Sequence, residues 1–288
     1  MRYENLEDFL NRGKAALAKG PVAILLAEDD VELSSTIQHH RKIGFREILL
    51  LAPPEMKIPS DLAQDIHHIP HNFLARGGRV SALNTIIAAA RPGTWLYYGF
   101  NAEYLFFPFC ESRSVGEMLA FHGEERREAM LTYVIDLYAD DLSAHPDAVS
   151  LEHAHLDRSG YYALARHGED GQPKERQLDF FGGLRWRFEE HIPPARRKID
   201  RIALFRARKG LELREDHTFS IEEYNTYACP WHHNLTAAVC SFRTAKALKQ
   251  NPGSRYEITS FMWRNSVRFE WNSRQLLDLG LMEPGQWF

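Results

Sequence analysis

The stretch RPGTWLYYGFNAEYLFFPFCE, residues 91–111, decides the fold. It opens on an Arg-Pro-Gly turn and runs apolar from Trp95 to Phe100. It steps through Asn101, Ala102 and Glu103, then turns apolar again from Tyr104 to Phe109. A continuous apolar run bounded by turn residues predicts a strand buried on both faces, central in an α/β sheet. Glu103 stands where that strand should leave the sheet. Ligands of open α/β folds bind outside the carboxyl ends of the strands, so Glu103 is a candidate for chemistry. It is equally a candidate for capping the next segment or pairing with an arginine.

Upstream, residues 4–19 carry Leu6, Phe9, Leu10, Ala16 and Leu17 at helical spacing, with Gly20-Pro21 as a stop. VAILLA (22–27) predicts a buried strand, 31–43 a helix ending at Gly44, and FREILLLA (45–52) a second strand. This is a βαβ unit, for which parallel neighbours predict a right-handed crossover. Ile66 and Ile69 suggest a short third strand, and SALNTIIAAA (81–90) a helix feeding the strand at 94–100. Downstream, 114–142 begins as a charged helix and ends as a strand. Residues 145–177 hold no lasting period and predict a surface excursion, with a loop near 145. KIDRIALFRAR (198–208) predicts a strand and 235–249 a helix. The expected division is 1–217 as one α/β domain and 218–288 as an extension packed on it.

The 288 residues suffice for a full hydrophobic core. A formal charge of −4 offers no basic field for nucleic acid. No apolar run is long enough to span a bilayer, and the acidic N-terminus lacks a signal-peptide pattern, so a cytoplasmic protein is expected. Cys110, Cys229 and Cys240 are odd in number and far apart, as reduced thiols are.

Four groups of residues carry chemistry. Glu28-Asp29-Asp30 follows the first strand, where carboxylates cap a helix or accept hydrogen bonds from a nucleotide base or ribose. His39-His40, His67-His68 and His232-His233 are adjacent pairs that point apart, and no HExxH is present, which weakens a zinc-hydrolase reading. His217 follows a strand and stands as a single candidate. Gly182-Gly183 beside Arg185 and Arg187 combines close backbone approach with guanidiniums able to grip a diphosphate; the same glycines also suit a tight turn. No P-loop, Rossmann GxGxxG or GxSxG follows a strand.

Taken in order, these segments resemble the family 2 and DUF23-like glycosyltransferases, which have a GT-A fold. VAILLAEDDVELSSTIQHHRKIGFREILLL (22–51) resembles their first unit, with Glu28-Asp29 at the acidic step and His39-His40-Arg41 and Gly44 in place. WLYYGFNAEYLFFP (95–108) resembles their apolar strand ending in Asp-x-Asp. FGGLRWRF (181–188), KIDRIALFRAR and His217 follow in the family's order, so the resemblance covers roughly residues 22–217. It implies an α/β, GT-A-like mixed and mostly parallel sheet flanked by helices, with a C-terminal helical and aromatic extension.

The resemblance also implies a nucleotide-sugar donor, a hydroxyl acceptor, an inverting transfer and a divalent metal, Mn²⁺ or Mg²⁺. The Asp-x-Asp that would hold the metal falls on Phe100-Asn101-Ala102, where no aspartate stands; Asp29, Asp136 and Asp140 are the candidates to replace it in space. Glu103 and Asp141 are candidate general bases, and Glu28, Asp29, Asn101, Arg185 and Arg187 candidate substrate ligands. His217 is the candidate metal ligand. The runner-up expectation is a catalytically degenerate GT-A protein serving as a binding subunit. A protein partner would then use the tail that holds Trp263, Trp271 and Trp287.

Overall fold

A computed structural model describes residues 1–59, 62, 66–226 and 234–287. Cys229, His232 and His233 lie outside the described residues. From the N-terminus the chain forms α1 (Leu6–Arg12), a 3₁₀ run (Lys14–Ala18), β1 (Val22–Leu26), α2 (Leu33–Lys42), β2 (Glu47–Ala52) and β3 (His67–Pro70). There follow α3 (Gly78–Ala89), β4 (Trp95–Phe100), β5 (Glu103–Phe106), α4 (Val115–Glu124) and β6 (Ala129–Ala139). The remainder is β7 (Ala154–Asp157), β8 (Tyr162–His167), β9 (Pro173–Phe181), α5 (Leu184–Arg187) and β10 (Asp200–Arg206). β11 (Ala237–Ser241), α6 (Arg243–Gln250), β12 (Ser266–Arg268) and α7 (Ser273–Asp278) complete it.

The chain builds two compact units. One comprises Met1–Tyr104, Cys110–Leu131 and Ile202–Asn225; the other comprises Leu105–Phe109, Thr132–Arg201 and Thr226–Phe288. Residue 217 lies inside the first unit, within Ile202–Asn225.

In the first unit β4, β1, β2 and β3 lie side by side in that order, all parallel. β10 runs antiparallel along the outer side of β4, with Leu204 opposite Tyr97. All five residues of β1 are buried, as expected of a strand covered on both faces. Each Leu or Ile so buried contributes roughly 1.5–3 kcal/mol of transfer free energy. Helices α2 and α3 make the crossovers that parallel neighbours require. Ser114 and Glu117 close a reciprocal capping box on α4.

In the second unit β12, β7 and β6 are antiparallel neighbours, and β11 lies parallel to β6 with Val239 opposite Val134. Its core gathers Tyr138, Ala148, Leu184, Ala245, Leu248, Ile258 and Phe261. β8 and β9 form a separate antiparallel hairpin.

Three expectations are corrected. The helix expected over 235–249 is a strand, β11, followed by α6. Every residue of β11 is buried, and a fully buried short strand shows no alternation to distinguish it from a buried helix. The excursion over 145–177 contains β7, β8 and most of β9. β7 is ordered by pairing with β6 and β12, and β8 and β9 by pairing with each other, rather than by local period. The N-terminal helix stops at Arg12, where Gly13 takes the C-cap, and continues only as the 3₁₀ run.

Candidate functional site

The first unit reverses its strand order between β1 and β4: β2 and β3 extend from one side of β1, and β4 returns to the other. In open α/β sheets this reversal opens a crevice at the carboxyl ends of the two strands. The chain leaves β1 into Glu28-Asp29-Asp30 and leaves β4 into Asn101, so both groups arrive there.

Asn101 joins the two strand ends. Its backbone N–H donates to Leu26 O at 3.0 Å, and its side-chain oxygen accepts from Glu28 N at 3.3 Å. Its Nδ2 lies 2.9 Å from both Asp29 O and Asp29 Oδ1, and 3.0 Å from Val31 O. Asp29 Oδ1 also accepts from Val31 N at 3.1 Å, an Asx turn leading into α2. The next residue, Ala102, has φ of 55° and donates its N–H to Thr36 Oγ1 on α2 at 2.9 Å. Strand ends and helix start are thus locked by side-chain to backbone bonds. Glu28 and Asp29 are half-buried and Asp30 is exposed, giving the crevice an acidic wall.

Glu103 is not on an open loop. It begins β5, is fully buried, and its Oε2 accepts from Phe100 N at 3.0 Å. Nearby on β4, Tyr98 stacks on His217 with ring planes 3° apart. Arg79 Nη1 lies 2.7 Å from His217 Nε2, and Tyr98 Oη lies 2.8 Å from Nδ1. Arginine can only donate, so Nε2 accepts, Nδ1 carries the proton, and the ring is held neutral. Arg79 in turn grips the Glu215 carboxylate at 2.7 Å.

Arg185, Arg187 and Asp141 belong to the second unit. Arg185 donates to Lys198 O at 2.5 Å and Thr244 Oγ1 at 3.2 Å, and its Nε lies 3.6 Å from Asp136. Gly182 and Gly183, with φ of 156° and 62°, shape the turn before it; a Cβ on Gly183 would meet Asp136 Oδ2 at 2.9 Å. Asp136 is buried, with its carboxylate facing the Arg185 guanidinium. Burial pushes its pKa up against the opposing pull of Arg185. Arg187 Nη1 holds Asp157 at 3.0 and 3.2 Å, its Nη2 donates to Phe261 O at 2.6 Å, and its guanidinium covers Trp263 at 4.7 Å. Trp263 Nε1 donates to the same Asp157 at 2.7 Å. Both guanidiniums are therefore committed to internal partners. Asp141 accepts from Ser143 N and Ala144 N, bonds that hold its carboxyl below the usual range.

The metal implied by the resemblance fails a fit to these groups. Among the described residues no three His, Cys, Asp or Glu side chains come together. Asn101 turns its amide NH₂ toward Asp29, and both nitrogens of His217 are engaged. A divalent ion of the Mg²⁺ kind needs several hard oxygen ligands, which this set does not supply. Other histidines face inward as well: the buried His40 bonds Thr36 O, and the half-buried His67 bonds Glu47 and Tyr3.

Arg79, Tyr98 and Thr36 escaped the sequence. Arg79 and His217 stand 138 residues apart, a distance no local pattern spans.

No family model matches this chain, and no curated protein matches it. Among the described residues no helix is long and apolar enough to cross a membrane.

Proposed function

We propose that the first unit binds a nucleotide sugar at the crevice between β1 and β4, and that the protein is a glycosyltransferase of GT-A type. One observation carries the reading: the strand reversal brings the Glu28–Asp30 wall and Asn101 to one place and fastens them together. Carboxylates so placed accept hydrogen bonds from ribose hydroxyls and base N–H groups. They repel phosphate, so the nucleoside end of the donor belongs against them. Among the described residues no group of side chains suits a divalent metal, so in this reading the binding needs neither Mn²⁺ nor Mg²⁺.

A second reading, a non-catalytic binding protein of the same fold, is favoured by a separate observation. Both carboxylates expected as general bases are already hydrogen-bonded to backbone N–H groups, Glu103 in full burial and Asp141 in a turn. A general base must reach the proton it removes.

Thermal denaturation with UDP, GDP, CMP and their sugars, each with and without Mn²⁺, tests the reading. A ligand at 100 times its dissociation constant adds about 2.7 kcal/mol to native stability. The expected result is a rise in Tm with one nucleotide class, unchanged by Mn²⁺ and lost in Asp29→Ala. Sugar release from that donor then separates a transferase from a binding protein. No rise with any nucleotide overturns the proposal.

A further inference from the structure

We propose that β8 is a dimerisation edge, along which two copies of this chain pair β8 with β8 in antiparallel register about a two-fold axis at Ala163. β8 hydrogen-bonds to β9 alone, so among the described residues its outer edge has no strand partner. Tyr162, Ala163, Leu164 and Ala165 are all exposed, with Tyr162 at 43% and Leu164 at 54%. An unpaired edge presents alternating N–H and C=O groups, and the group that satisfies them is another extended strand.

Natural edges are usually blunted by proline, by charge or by a bulge. Tyr162–Ala165 has neither proline nor charge. The one irregularity, between Ala165 and His167, lies beyond this run. The hairpin is also held firmly from behind. Arg166 donates to Asp179 at 2.7 Å and to Asp200 at 2.9 Å, and Phe180 and Lys198 tie β9 to the following segment. A rigid open edge is a better template than a loose one.

The sequence of the edge is complementary to itself. Side chains alternate faces along a strand, so a two-fold antiparallel pair must centre on a residue. Centred on Ala163, it sets Ala163 opposite its own copy and Tyr162 opposite the second copy's Leu164, twice over. Tyr162 already stacks on Phe181 of β9 at 5.2 Å, so the apolar row would run across three strands, Phe181 and Tyr162 of one copy and Leu164 of the other, and end at the Asp179 that pairs with Leu164. No like charges meet within Tyr162–Ala165. The exposed Arg158 before the strand comes toward the second copy's Glu169-Asp170 turn after it, which is favourable charge pairing. Two short strands bury less than the ~1,200–2,000 Å² of a standard stable interface, so the dimer is a reversible, concentration-dependent one.

Sedimentation velocity of the full chain across a hundredfold concentration range, together with mild oxidation of Ala163→Cys, tests this. The expected result is a mass that rises from one copy toward two. Leu164→Lys should weaken the association at least tenfold while Tm stays unchanged. Opposed residues at the axis have Cα atoms ~4.5–5.5 Å apart, within disulfide reach. Ala163→Cys should therefore cross-link well above the unsubstituted protein, and Leu164→Cys, whose own copy lies on a ~7–8 Å diagonal, should cross-link far less. A single-copy mass throughout overturns the proposal. So does a dimer that forms equally in Leu164→Lys, or one that leaves Ala163→Cys uncross-linked.

Discussion

Asn101 Nδ2 stands 2.9 Å from Asp29 Oδ1, so a neutral amide at the end of β4 holds the carboxylate at the end of β1. Replacing it by alanine removes the side-chain bonds to Glu28, Asp29 and Val31 inside a buried position. The expected loss is about 2–3 kcal/mol, measured by urea denaturation, because buried groups left unsatisfied carry their desolvation penalty. Asn101→Asp puts two carboxylates at that separation. The new aspartate's pKa is then raised in the folded state, so the stability it retains at low pH is lost as pH rises through that raised value. Asn101→Asp should therefore sit closer to the unsubstituted protein at pH 4 than at pH 7. Equal stability at pH 7 would show that the contact is not formed.

Arg187 and Asp157 form a buried pair, with side chains 11% and 2% exposed. Among the described residues, Arg187→Ala leaves the Asp157 charge with Trp263 Nε1 and Tyr138 Oη as donors. Removing one partner of a buried pair costs about 3–5 kcal/mol. Arg187→Lys should recover only part of it, since an ammonium cannot bond Asp157 and Phe261 O together while covering the Trp263 ring. Urea midpoints of the two variants check both statements.

Asp136 predicts a pH dependence of opposite sense to that of an ordinary paired carboxylate. Burial raises its folded-state pKa, with Arg185 opposing. Its contribution is present below the unfolded aspartate value and is lost as pH rises through the folded one. Asp136→Asn cannot ionise, so it should be at least as stable as the unsubstituted protein at pH 7 and gain nothing at pH 3. A variant clearly weaker at pH 7 would mean that the ion pair with Arg185 outweighs the burial cost.

His40 and His122 set the acid limit of the first unit. Burial pushes them down to about 3 and about 4. Unfolded histidine takes up a proton near pH 6.5, so the stability from keeping these rings neutral is present above that value. It falls as pH drops toward the folded pKa, by on the order of several kcal/mol in total. His122→Gln keeps a donor for Ala129 O but cannot titrate. Its stability should decline less steeply than that of the unsubstituted protein between pH 6.5 and 4; parallel curves would dismiss His122 as a contributor.

The strands Val22–Leu26, Glu47–Ala52 and Trp95–Phe100 were legible because each is a short run, apolar but for Glu47, between turn residues. Helices α2 and α3 were legible through their period and their stops. What was not legible is long-range. Nothing local to Gly182-Gly183-Leu184-Arg185-Trp186-Arg187 shows that the arginines turn inward to Asp136 and Asp157; an exposed diphosphate grip reads the same in one dimension. Glu103 was placed on an open strand end because two residues of polar sequence look like an exit. In the fold they are a kink between two buried strands, with Ala102 at positive φ. Asn101 and Asp29 were both singled out, yet their bond to each other depends on which strands are neighbours.

The Asn101–Asp29 clamp joins residues 72 apart in sequence. Closing so long a loop is entropically costly, and the contact exists only once β4 has docked beside β1. A molecule held at this clamp meets a completed sheet and nothing earlier. Such a ligand slows the opening of the native protein and leaves its refolding rate nearly untouched, so its benefit to the chain is longevity rather than speed.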